Sequence, residues 1–104
     1  MLGRLRVTPG ADKVLSGLEI GYALMLHAQG DWGDVSAELR VKNNRALENG
    51  GRLLSMYSNH ADVSFFIVTE VGRSATMVFL PCERHEYSPD NMQNDGNGST
   101  LKKK

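Results

Sequence analysis

The segment Val63-Ser64-Phe65-Phe66-Ile67-Val68 constrains this chain most. In an extended chain Val63, Phe65 and Ile67 fall on one face, and Phe66 and Val68 on the other. A strand with apolar groups on both faces is central in its sheet and covered. Little chain is left to cover it. Of the 104 residues, those beyond about His85 turn polar, with the run Asp90-Asn91-Met92-Gln93-Asn94-Asp95-Gly96-Asn97-Gly98-Ser99-Thr100. Such a run buries almost nothing and does not offset a backbone ordering cost of roughly 1–2 kcal/mol per residue. The reading is one domain over residues 1–85 and a disordered tail over 86–104. A body of that size is near the lower limit for a self-sufficient core, with only about 60–65% of its surface buried.

Periodicity supplies the other elements. Gly3-Arg4-Leu5-Arg6-Val7-Thr8 alternates, as a half-buried strand does. Thr8-Pro9-Gly10 closes it. Val14, Leu18, Tyr22 and Met25 recur at helical spacing and form the expected core-facing stripe of a helix near 11–16 and another near 19–28. Gly17 and Gly21 weaken that stretch by about 1 kcal/mol each relative to Ala. Gly30-Asp31-Trp32-Gly33-Asp34 is a tight connection, and Asp34 or Ser36 caps a further helix over 36–48. Asn49-Gly50-Gly51 ends that helix in a left-handed turn. Arg52–Ser58, Asp62–Glu70 and Thr76–Leu80 read as consecutive antiparallel strands. The fold class is α+β: two or three short helices on one face of a small, mainly antiparallel four-stranded sheet, in β-α-α-β-β-β order.

Composition excludes several classes of function. Twelve Lys plus Arg balance twelve Asp plus Glu, so charge-driven binding to nucleic acid or anionic lipid is not expected. Arg40, Lys42, Arg45 and Arg52 are interrupted by Glu38 and Glu48, a mixed face rather than a basic stripe. Lys102-Lys103-Lys104 is too short for a nucleic-acid footprint. No apolar run spans a bilayer, and the first residues lack the apolar core of a signal peptide, so the cytoplasm is the expected location. Cys82 is the one cysteine and reads as a buried or idle thiol; no His or Cys spacing suits a metal, and no cofactor is expected.

Two polar motifs remain. In His27-Ala28-Gln29-Gly30-Asp31-Trp32-Gly33-Asp34, one reading makes His27 a base oriented by Asp31 or Asp34. The other is structural: Trp32 fills a corner, the glycines turn, the aspartates cap, and His27 ends its helix where positive charge is favoured. The structural reading accounts for every residue without a substrate. In Thr69-Glu70-Val71-Gly72-Arg73-Ser74-Ala75-Thr76, Glu70 and Arg73 are placed to pair across a hairpin, or Arg73 to meet a phosphate or a partner's carboxylate. No catalytic constellation emerges, so the expected mode of action is protein binding, through Asp31, Trp32 and Asp34 of the turn and Glu70, Arg73 and Ser74 of the hairpin.

The motifs Thr8-Pro9-Gly10-Ala11, His27-x-x-Gly30-Asp31-Trp32-Gly33-Asp34, Gly51-Arg52-Leu53-Leu54-Ser55-x-Tyr57, Ile67-Val68-Thr69-Glu70, Arg73-Ser74-Ala75-Thr76 and Leu80-Pro81 resemble a group of small "plasmid-related" accessory proteins of proteobacterial plasmids and integrative elements. The resemblance spans roughly residues 5–83. Members also carry the label of a type I restriction endonuclease subunit M, yet this chain has neither the length nor the Gly-rich loop of a methyltransferase. The resemblance implies an accessory protein of a mobile element, with a protein partner such as a host defence nuclease complex, in the manner of anti-CRISPR or anti-restriction inhibitors. A second reading is a toxin similar to ribosome-dependent mRNA interferases, with Arg52, Tyr57, Arg73 and His85 around a scissile phosphate; the neutral charge weighs against it. A third is a weak, sequence-tolerant nucleic-acid binder, for which no aromatic-rich basic surface is evident.

Overall fold

The computed structural model describes residues 3–83. The expected tail over 86–104, its three lysines and His85 lie outside the described residues. The elements are β1 (Arg4–Val7), α1 (Pro9–Val14), α2 (Gly17–Ala28), α3 (Ala37–Asn49), β2 (Leu53–Ser58), β3 (Ser64–Thr69) and β4 (Ala75–Phe79). They build a small α+β domain whose four strands lie in the order β1-β4-β3-β2. β2, β3 and β4 form an antiparallel meander, and β1 joins β4 in parallel.

Each helix begins where a side chain takes up its free N–H groups. Thr8 accepts from Ala11 N ahead of Pro9, and Ser36, not Asp34, accepts from Leu39 N at the start of α3. Ser16 and Glu19 form a reciprocal capping box at α2. The Glu83 carboxylate accepts from Thr8 Oγ1, Gly10 N and Leu80 N, tying the end of the described chain to the start of α1. Gly50, at φ 80°, ends α3 in the left-handed turn that the sequence suggests.

α1 and α2 bring Ala11, Leu15, Ile20 and Ala23 onto Tyr57, Phe65, Ile67 and Val78 of the sheet. A second cluster joins Trp32, Ala46 and Leu53. β3 is central, as its two apolar faces require, and Val68 on its second face is buried. On that face the Phe66 and Phe79 rings stack with centroids 5.4 Å apart.

Two expectations fail. The stripe Val14, Leu18, Tyr22 and Met25 faces solvent, with Leu18 88% and Tyr22 62% exposed. α2 is apolar nearly all round, so periodicity alone does not select its inner face. Ile20, Ala23 and His27 face inward instead, because His27 finds hydroxyl partners on the sheet there. The half-burial expected of β1 is also wrong: Arg4, Leu5 and Arg6 are exposed, as on an edge strand.

The other edge, β2, is closed by side chain and turn. Asn43 Nδ2 donates to Leu54 O at 2.8 Å and its Oδ1 accepts from Leu54 N at 3.1 Å, as a neighbouring strand would. Farther along, Met56 N donates to Trp32 O and Asp34 N to Met56 O. A Cβ at Gly33, where φ is 75°, would collide with the Met56 carbonyl, so this close approach needs glycine.

Candidate functional site

The polar motifs converge in the interior. α2 delivers His27 to the sheet, where Nδ1 lies 2.5 Å from Ser55 Oγ and Nε2 2.8 Å from Thr69 Oγ1. Thr69 Oγ1 in turn lies 2.8 Å from Thr76 Oγ1. Ser55, Thr69 and Thr76 project from adjacent strands toward the helix layer, and all four side chains are buried. Burial, aided by the positive charge of Arg73, pushes the His27 pKa down to about 4. The imidazole is therefore neutral at pH 7, with one nitrogen donating and the other accepting. The expected favourable positive charge at the end of α2 is corrected: burial outweighs the helix dipole.

The other reading of His27, a base oriented by Asp31 or Asp34, is not what the fold assembles. Both ring nitrogens are engaged by hydroxyls, while Asp31 and Asp34 sit exposed on the turn. Ser55 and His27 have the spacing of a nucleophile and its base, but Ser55 is 0% exposed and reaches no substrate.

Trp32 closes the same corner. Its indole and the His27 ring meet edge to face at 80°, with centroids 5.6 Å apart, and Nε1 donates to Asn44 Oδ1 at 3.0 Å. At 1% exposure the ring belongs to the core and offers no contact area to a partner. The Tyr57 hydroxyl donates to Asp31 O; burial first, with the nearby Asp31 charge, pushes its pKa up to about 12 and keeps it a donor.

The hairpin also turns inward. Arg73 donates to Gly51 O at 2.6 Å and to Ala46 O at 3.0 Å, where α3 ends; Ala46 O also accepts from Gly50 N and Gly51 N. This corrects the expected Glu70–Arg73 pair: Glu70 stands 3.5 Å from Arg52 Nε, and Arg73 serves the end of α3. Ser74 is exposed. The 30–34 turn and the hairpin both rest on α3: Trp32 packs on Ala46 and bonds Asn44, Gly33 O accepts from Arg40, and Arg73 donates to Ala46 O. Cys82 is exposed rather than buried. Among the described residues no three His, Cys, Asp or Glu side chains gather to hold a metal ion, and no helix is long and apolar enough to cross a membrane.

Large apolar side chains are exposed at Leu5, Val41, Leu47 and Val71 as well as along α2, where they stand in a row. Leu18, Tyr22 and Met25 form an apolar crest. Beside it a cleft of about 270 Å³ opens between α2 and the β2–β3 hairpin, with Leu26, Tyr57 and Phe65 as apolar wall and Glu19, Tyr22 and His60 at the mouth. Helical spacing alone points the crest at the core and gives no sign of the cleft, whose walls come from α2 and the distant β2–β3 hairpin. The available signal was Glu19, the one carboxylate in an otherwise apolar helix. Comparison with protein-family models, curated proteins and solved structures finds no match.

Proposed function

We propose that this protein is a non-enzymatic accessory protein of a mobile element that acts by docking on a protein partner, a host defence nuclease complex of the restriction or CRISPR type. The observation that carries the docking reading is the outward crest of α2. Large apolar side chains in a row on a helix, with Leu18 88% exposed, are the mark of a contact surface. The motif resemblance supplies the genetic setting and hence the partner class. The motif residues His27, Trp32, Ser55, Tyr57, Thr69 and Arg73 are all occupied in holding the fold.

The interferase reading finds less support. Tyr57 is buried, Arg73 is spread over backbone carbonyls, Arg52 lies beside Glu70, and His85 lies outside the described residues. The test is protection of incoming plasmid in cells carrying one defined restriction or CRISPR nuclease. Expression is expected to raise plasmid survival at least about tenfold, and L18E/M25E to abolish the gain while the protein stays folded. Absence of protection against every nuclease tried, with no stoichiometric complex on gel filtration, refutes the reading. Growth arrest on expression alone would favour the toxin.

A further inference from the structure

We propose that the cleft beside α2 is the anchor site of that docking surface and takes an arginine-type cationic side chain projecting from an apolar region of the protein partner. This deepens the docking reading and depends on it. At about 270 Å³ the cleft falls below the roughly 300–1,000 Å³ of small-molecule sites, a size for one side chain rather than a cofactor.

Its chemistry selects the occupant. Leu26, Tyr57 and Phe65 form an apolar wall on which a long aliphatic stem can lie. Glu19 is the sole carboxylate among the lining residues, and no Lys or Arg is among them. Its Oε1 accepts from Ser16 N at 2.8 Å, which fixes the carboxylate in place before any ligand arrives. The other oxygen, Oε2, lies 3.1 Å from Nδ1 of His60, whose side chain is 88% exposed. The mouth thus already seats a ring nitrogen against the carboxylate, on an exposed side chain that a stronger donor can displace.

The alternatives fare worse. A neutral apolar knob would strip water from Glu19 without replacing it, and an acidic one would be repelled. A guanidinium satisfies the carboxylate and can also stack on the Tyr22 ring at the mouth. Tyr22 belongs to both crest and cleft, so one partner surface engages both.

The experiment titrates the isotope-labelled full chain with N-acetyl-arginine amide, N-acetyl-lysine amide and N-acetyl-norleucine amide, read by NMR amide shifts. The arginine probe is expected to move Glu19, Tyr22, Leu26 and Phe65 saturably. E19Q keeps the capping box, since Gln serves at that position too, and is expected to weaken binding at least about tenfold while the protein stays folded. No shift with any probe overturns the cleft as a site. An equal response to norleucine, or unaltered binding by E19Q, overturns the cation, and an equal response to lysine overturns the arginine preference. These outcomes are separate from the docking reading, which stands or falls on plasmid protection and L18E/M25E. Loss of protection in L18E/M25E with full protection in E19Q would overturn the anchor while leaving the docking intact.

Discussion

His27 takes its character from where α2 places it rather than from its position in the chain. Its pKa falls from 6.5 to about 4 on burial, so between those values the unfolded chain carries a proton that the fold excludes. Its contribution to stability is whole above about pH 6.5 and is lost as pH falls toward 4, by on the order of 3 kcal/mol. Urea titrations at successive pH values should show this decline in the parent protein. H27Q should be less stable at pH 7, by about 1–3 kcal/mol, and lack that component of the slope. Arg73 gives a second residue-scale prediction. R73A should cost about 1.5–3 kcal/mol, because it removes charged hydrogen bonds to the carbonyls at the end of α3. E70A should cost at most about 1 kcal/mol, as a partly exposed ion pair does. Equal costs in chemical denaturation would restore the hairpin pairing that the sequence suggests. That pairing was a reasonable reading of Glu70 and Arg73 alone; the carbonyls that capture Arg73 come from residues more than twenty positions away.

At the scale of the element, α2 separates what periodicity can tell from what it cannot. The Ser16–Glu19 capping box starts it at Gly17, ahead of the start near 19 that the sequence suggests, while its C-terminal end was legible in the Gly30 turn. Its rotation was not. With Glu19 its only Asp, Glu, Lys or Arg, the helix offers more than one apolar stripe, and the larger side chains of Leu18, Tyr22 and Met25 make the wrong one look better. The inner stripe is Ile20, Ala23 and His27; Ala23 permits close approach to the sheet, and His27 needs Ser55 and Thr69. L18E/M25E should therefore leave stability within about 0.5 kcal/mol of the parent, whereas A23E should cost more than about 3 kcal/mol by burying a charge. Thermal denaturation of the two variants checks the assignment of faces.

For the whole molecule, the two sheet edges are treated differently. β1 is an exposed edge bearing Arg4 and Arg6, charges of the kind that discourage strand-to-strand association. β2 is closed by Asn43 and the Gly33 turn. N43A should lose about 1–3 kcal/mol and expose a strand edge, giving concentration-dependent association measurable by analytical ultracentrifugation. Period, turn chemistry and composition within a few residues specify the α+β class, the central position of β3, the β2-β3-β4 meander and the left-handed stop of α3. Long-range packing instead sets the parallel joining of β1 to β4, the outward crest of α2, the neutral His27 and the capture of Arg73 at the end of α3. These depend on which partners distant segments bring into reach, and desolvation and hydrogen-bond satisfaction then choose among alternatives that local pattern leaves equal.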